Sequence, residues 1–286
     1  MSEASRSVTP DEARHLVEEN RVLVVDVRTS DEYERLGHIP GAVLLPVDLV
    51  AAGLATLPLD GRDVLVYCEH GVRSAAAAHL LSRAGVPGVI DMAGGMSRWR
   101  GPRAHDAGNP CAPYGPSSWL LANASRLPRA GRCLDLACGK GRHALLLACA
   151  GIPVHAIDND AGKLASLAEI AGRLGVPVTA QALDLESDAV DLGRDAYDAI
   201  LVFSFLHRPL FPAIVGALKP GGILFYETFL VQQSERGHPK SPEHLLAPGE
   251  LRDLVAPLGV VEAREGEFDG RFVSGVVAIK GPGVTR

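Results

Sequence analysis

Two stretches of this 286-residue chain combine residue types that can do chemistry. The first is Cys68-Glu69-His70-Gly71-Val72-Arg73-Ser74, which follows the apolar run 64–67 and precedes an alanine-rich segment, 74–84. That order places a cysteine at the C-terminal end of a buried strand, with Arg73 opening a helix just beyond it. Loop amides and the unpaired N–H groups of the helix start surround the sulfur. Those dipoles, with Arg73 beside them, favour thiolate over thiol and make Cys68 a nucleophile at neutral pH.

The second stretch is Cys133-Leu134-Asp135-Leu136-Ala137-Cys138-Gly139-Lys140-Gly141-Arg142-His143. It reads as a buried strand ending in an acid, a glycine loop, and a helix N-terminus facing whatever binds there. Farther on, Val154-His155-Ala156-Ile157 is a second strand ending at Asp158, where nucleotide-type folds grip a ribose diol. Two cofactors fit this arrangement. A dinucleotide fingerprint wants G-x-G-x-x-G with an acid about 20 residues on. Asp158 meets the distance, but the third glycine is missing, because Gly141 runs into Arg142-His143-Ala144.

The elements that must position these residues fall into two sets. In the first, Thr9 caps a helix with Pro10 at its first position and Glu12 three residues in. Strands over 22–27 and 64–67, and a short acidic helix over 30–36, complete a compact parallel-sheet domain. In the second set, 117–127 is an entry helix bearing Trp119, and Ala161–Leu174 is helical. Residues 176–183 form a strand running into Asp184-Leu185-Glu186, and Tyr197–Phe203 forms another. A helix over 209–218 ends at Lys219-Pro220-Gly221-Gly222, and 223–229 is the next strand. Gly259–Phe268 and Arg271–Ile279 pair as a hairpin through Asp269-Gly270. Between the sets, 101–117 holds seven Gly or Pro in 17 residues, a boundary signature. The expected domains are 1–104 and 118–286, joined by a linker over 105–117 in which Cys111 is expected to be exposed.

Asp26-Val27-Arg28, Gly37-His38-Ile39-Pro40-Gly41-Ala42, the Cys68–Arg73 loop and Gly94-Gly95-Met96-Ser97-Arg98-Trp99 occur in that order. They resemble single-domain rhodaneses over 8–103. The resemblance implies that Cys68 carries a sulfane sulfur as a persulfide, cradled by the loop amides, with Arg73 as its catalytic companion. It also implies sulfur rather than phosphate or arsenate chemistry, since fold-sharing phosphatases and arsenate reductases have a loop one residue longer.

The stretch from Asp135 to Asp158 resembles motif I of class I S-adenosylmethionine methyltransferases, with Ala137 in place of the usual first glycine. The lysine-proline-glycine-glycine turn and the closing hairpin are further family features, and the hairpin argues against NAD. The fold class implied is α/β: a small rhodanese domain followed by a seven-stranded, Rossmann-like methyltransferase domain. The resemblance places S-adenosyl-L-methionine at Asp135, Ala137, Gly139, Gly141, Asp158, Asn159, Asp184, Leu185 and Phe203, with Asp184 accepting the adenine amino group. His207, Tyr226, Arg236 and His238 are the candidate acceptor-side residues, and no metal is expected.

Composition bounds these readings. Hydrophobic residues make up 47% of the chain, enough for two cores, and the net charge is −6. Neither half is basic, which argues against a nucleic-acid partner. No apolar run reaches membrane-spanning length and the first residues lack an apolar signal region, so a cytoplasmic location is expected. The five cysteines are odd in number and show no C-x-x-C pair, so neither a disulfide framework nor a zinc site is expected. Cys133 and Cys149 read as buried small hydrophobes.

The second domain resembles the tellurite-resistance type of small-molecule methyltransferase, whose acceptors include chalcogen anions. The expectation is a bifunctional sulfurtransferase and methyltransferase acting on small molecules: a sulfur donor and a thiol or chalcogen acceptor. Two alternatives stand beside it. One is O- or N-methylation of a small molecule or RNA, with the rhodanese serving another pathway. The other is redox sensing at Cys68. A hydroxyl acceptor would need a base, for which His207, His238 and Glu227 are the candidates.

Overall fold

A computed structural model of the chain describes residues 5–54, 56–105, 114–187 and 190–281. Cys111 and Asp188 lie outside the described residues. The chain divides into two compact units, residues 1–116 with 169–175 and residues 117–168 with 176–286.

The first unit is a five-stranded sheet of order β1-β5-β4-β2-β3, parallel throughout. Its strands are β1 (Arg6–Val8), β2 (Val22–Asp26), β3 (Val43–Leu44), β4 (Asp63–Tyr67) and β5 (Val89–Met92). Helices α1 (Pro10–Glu18), α2 (Ser30–Arg35), α3 (Val50–Gly53) and α4 (Val72–Arg83) connect and cover them. Every residue of β2 is buried, the pattern of a central strand covered on both faces. The capping box at Thr9 and Glu12 forms, and Thr29 with Glu32 repeats it at α2.

The second unit is a seven-stranded sheet of order β11-β12-β10-β9-β6-β7-β8. Its strands are β6 (Cys133–Leu136), β7 (Val154–Asp158), β8 (Val178–Ala182), β9 (Tyr197–Phe203), β10 (Leu218–Phe229), β11 (Gly259–Phe268) and β12 (Arg271–Ile279). The helices are α5 (Ser118–Ala122), α6 (Arg142–Cys149), α7 (Ala161–Leu174), α8 (Phe211–Ala217) and α9 (Glu250–Leu254). β6 to β10 run parallel, and β12 is antiparallel to both β10 and β11. The strand order reverses at β6, between β7 and β9. That is the topological switch point of an open α/β sheet, where a crevice forms beyond the strand ends. β10 begins at Leu218, directly after α8, and its register against β9 shifts before Ile223, so the Lys219–Gly222 turn bulges from the strand.

Three sequence expectations change. The entry helix is a single turn, Ser118–Ala122, followed by a 3₁₀ turn at Ala124–Arg126, because Asn123 donates to the Trp119 carbonyl and closes the helix. Helix α4 starts at Val72, so Arg73 lies inside it. Cys149 is exposed at the end of α6, whereas Cys133 is buried in β6. Among the described residues, no helix is long and apolar enough to cross a membrane.

Candidate active sites

In the first unit Cys68 is 1% exposed at the tip of β4. Its Sγ accepts the Gly71 N–H at 3.1 Å and lies 3.5 Å from the Ser74 hydroxyl. Burial pushes the thiol up, but the Ser74 hydroxyl and the amides of Ser74, His70 and Gly71 outweigh it. The Cys68 thiol therefore sits below its ordinary value.

Two glycines hold the cradle shut. Gly71 caps α4 with φ +89°, and a Cβ there would meet the Gly94 nitrogen at 2.8 Å. A Cβ on Gly95 would lie 2.2 Å from the Cys68 carbonyl oxygen. That approach lets Met96 N–H and Ser97 N–H donate to the Cys68 and Glu69 carbonyls at 2.9 and 3.0 Å. The Gly94-Gly95-Met96-Ser97 turn is thus a clamp on the cysteine loop.

Arg73 does not face the sulfur as an unpaired cation. Its guanidinium grips Glu32 at 2.7 and 2.5 Å, and that pair holds the Glu32 carboxyl down at about 2. The cause is geometric: from inside α4, Arg73 reaches the first turn of α2, where Glu32 also serves the capping box. Arg28 is fully buried. It forms a fork with Asp26 (2.7–3.1 Å), reaches Glu69 at 2.9 Å and donates to the Gly37 carbonyl at 2.8 Å. The motifs Asp26-Val27-Arg28 and Gly37-His38 therefore meet beneath the cysteine loop. Sequence reasoning missed Ser74 and Glu32. Ser74 stands one residue past Arg73, and Glu32 completes a legible capping pattern.

In the second unit the glycine loop and the acids of β6 and β7 come together. Asp158, 8% exposed, accepts Gly139 N–H at 2.8 Å and Asp160 N–H at 3.0 Å. Gly139 has φ +57°, and a Cβ there would meet nothing within 4 Å, so an open face lies over the loop. Asn159 is exposed beside it. Gly141 differs: a Cβ would strike the Leu167 side chain at 2.5 Å, so this glycine lets the loop pack on α7. Ala137 adopts φ +50°, the conformation its missing glycine would take freely, which costs about 1–2 kcal/mol.

Asp135 is 1% exposed and accepts Ala144 N–H at 3.1 Å, so its carboxylate braces the start of α6. Burial pushes it up to about 7 against the pull of that amide and of Arg142. Phe203 is buried against His143, ring centroids 4.3 Å apart. Leu185 packs into the core. Asp184 is exposed and accepts Glu186 N–H at 3.0 Å within its own turn.

The acceptor-side candidates separate. His207 lines a cavity of about 400 Å³ with Glu186, Leu206 and His244. His238 lines an adjoining one of about 510 Å³, walled by Phe205, Phe229 and Pro239 and reaching the same Glu186 and His244. Arg208 braces this wall, forking onto Glu250 at 2.6 and 3.0 Å and donating to the Glu243 and Leu245 carbonyls. Tyr226 is fully buried, its hydroxyl donating to the Phe205 carbonyl at 2.9 Å, so it shapes the loop after β9 from beneath. Arg236 pairs with Glu267 and stacks over Phe272, away from the residues lining either cavity. Glu227 is no general base: it is 4% exposed, ion-paired to Arg264, and accepts the Ser117 hydroxyl at 3.0 Å. His244, present in both cavities, was missed because a lone loop histidine carries no pattern.

Comparison with known proteins finds relatives of each unit. A model of the rhodanese-like domain matches residues 9–102, and one of the tellurite resistance protein TehB matches 119–224. A sulfurtransferase of Allochromatium vinosum is 37% identical over 87 residues, covering 30% of this chain and 79% of that protein. The probable adenylyltransferase/sulfurtransferase MoeZ of Mycobacterium tuberculosis is 38% identical over 96 residues. That match covers 32% of this chain and 24% of MoeZ, so the chain spans about a quarter of that relative's length. A crystal structure of TehB from Haemophilus influenzae aligns over 58% of this chain and 63% of its own, at 18% identity and a TM-score of 0.47.

The chain's first unit belongs to the rhodanese-like family, and its second matches the TehB model over residues 119–224.

Proposed function

We propose that Cys68 takes a sulfane sulfur as a persulfide, and that the second unit methylates a small thiol or chalcogen acceptor. The assignment gives residues 1–104 to sulfur transfer, 105–117 to the tether and 118–286 to methyl transfer. The observation that carries it is the cradle at Cys68, where a buried sulfur meets the Gly71 N–H and the Ser74 hydroxyl. Those groups stabilise a thiolate before attack and the terminal persulfide anion after it.

The open face over Gly139, with Asp158 and Asn159 beside it, fits S-adenosylmethionine. Asp158 would accept from the ribose hydroxyls, and the glycine loop would pass under the methionine part. When bound, S-adenosylmethionine supplies a methyl group on a sulfonium. The protein's task is then alignment, which alone can supply roughly 7–11 kcal/mol. The apolar wall of Phe205, Phe229 and Pro239 suits a small, soft acceptor. A thiolate or hydrosulfide needs no base, in keeping with the engagement of Glu227 by Arg264.

A second reading rests on His207, His238 and His244, which could take a proton from a hydroxyl or amine acceptor. Intact-mass analysis after incubation with thiosulfate tests the first half of the proposal. One added sulfur, absent from Cys68→Ser, is expected, and an unmodified wild-type chain refutes it.

A further inference from the structure

Reaction at Cys68 has a charge problem that the loop does not solve. A small donor such as thiosulfate brings a dianion to a thiolate, and the side chains of the loop itself include Glu69. The nearby guanidiniums are engaged: Arg28 by Asp26 and Glu69, Arg73 by Glu32, and Arg103 by the Leu36 and Met96 carbonyls at 2.8 and 2.7 Å. Arg98 is the exception. It is exposed, and among the described residues its side chain makes no ion pair and no hydrogen bond.

Its position is fixed by the clamp on the cysteine loop. Arg98 closes the Gly95–Ser97 turn, its own N–H donating to the Gly95 carbonyl at 3.1 Å. Its side chain lies over Gly94: a Cβ there would sit 2.6 Å from Arg98 Cδ and 3.1 Å from Nε. Gly94 in turn abuts Gly71, the residue whose N–H reaches the Cys68 sulfur. The glycine at 94 therefore does two things: it lets the loop close, and it leaves room for the arginine stem to lie over the turn that clamps the cysteine loop.

The geometry points to Arg98 as the residue that binds the anionic end of the sulfur donor, making this site selective for donors that carry a sulfonate-like group. In the step itself, Cys68 thiolate attacks the outer sulfur of thiosulfate. The S–S bond of thiosulfate breaks, a Cys68–S–S⁻ forms, and sulfite leaves with the bonding electron pair. Charge balances at minus three on both sides. Arg98 holds the sulfonate oxygens of the donor, which become those of the leaving sulfite. A guanidinium presents the matching fork of donors for such oxygens. This deepens the persulfide reading and rests on it for the donor step.

The test compares Arg98→Ala, Arg98→Glu and Arg98→Lys in the full chain. For thiosulfate, kcat/KM should fall about tenfold in the alanine variant and further in the glutamate variant, while Arg98→Lys stays within about threefold of wild type. The gap between wild type and Arg98→Ala should narrow with added salt. A second readout needs no donor: the ratio of Cys68 alkylation rates by iodoacetate, an anion, and iodoacetamide, which is neutral. That ratio should fall in the alanine and glutamate variants with the iodoacetamide rate unchanged. An unchanged ratio overturns the proposal, as does an equal fall with both reagents, which would mean that Arg98 acts through the thiolate. If wild type forms no persulfide from thiosulfate, the sulfur-transfer reading fails separately, and the alkylation ratio still decides the role of Arg98.

Discussion

Removing the carboxylate of Asp158 should weaken S-adenosylmethionine binding and loosen the empty glycine loop, by amounts that can be separated. In the structure its two oxygens have different duties: Oδ2 accepts Gly139 N–H at 2.8 Å and Oδ1 accepts Asp160 N–H at 3.0 Å. Asp158→Ala strips both amides of their acceptor. With Gly139 only half-buried, water replaces part of the loss, so ligand-free stability should drop by about 1–2 kcal/mol. The ribose contact is an additional hydrogen bond to a charged group, about 1.5–3 kcal/mol, or roughly ten- to 150-fold in affinity. Asp158→Asn keeps one acceptor oxygen but turns an NH₂ toward the other amide, so it should recover less than half of either loss. Calorimetric titration with S-adenosylmethionine gives the affinities, and urea unfolding without ligand gives the stabilities. Affinity of the alanine variant within twofold of wild type would refute the placement of the ribose at Asp158.

Three further outcomes follow from the same geometry. The Cys68 thiol is protonated and unreactive below its pKa, so its alkylation rate should rise with pH through a midpoint below the ordinary cysteine value of about 8.5. Ser74→Ala should move that midpoint upward; an unmoved midpoint would remove Ser74 from the cradle. Ala137→Gly relieves the φ of +50° but adds unfolded-state entropy of about 0.5–1 kcal/mol. The unfolding transition that S-adenosylmethionine shifts should therefore gain up to about 1 kcal/mol, and a loss of that size would contradict the strain. If the sulfur leaving Cys68 is what becomes methylated, the full chain should convert thiosulfate and a reductant into methylated sulfur faster than the two separated domains mixed at micromolar concentration, since a tether of this kind gives an effective concentration near millimolar. Equal rates would mean the two sites work independently.

Local chemistry was the legible part of this chain. The capping box at Thr9, the strand at Tyr197–Phe203 and the hairpin at Gly259–Phe268 and Arg271–Ile279 could be read directly, because each depends on neighbours in sequence. The residues around Cys68 and Asp158 were legible for the same reason, as short loops at strand ends. What could not be read was pairing across the fold. Arg73 finds Glu32, Glu227 finds Arg264, and Arg236 finds Glu267 over separations of 31 to 41 residues, and no local pattern announces such partners. Each pairing removed a charge from the chemistry the sequence had given it. Tyr226 is fully buried beneath the loop after β9, a placement set by what covers its strand face and not by its neighbours in sequence.

The identity of the methyl acceptor is tested most directly by incubating the full chain with methyl-labelled S-adenosylmethionine and a matched set of acceptors: sulfide, selenide and small thiols against hydroxyl and amine compounds of similar size. Label should pass to the sulfur and selenium acceptors, with S-adenosylhomocysteine released in equal amount. Label found in the oxygen or nitrogen acceptors, with sulfide and thiols left unmethylated, would contradict the proposed function and move the chemistry to the histidines at 207, 238 and 244.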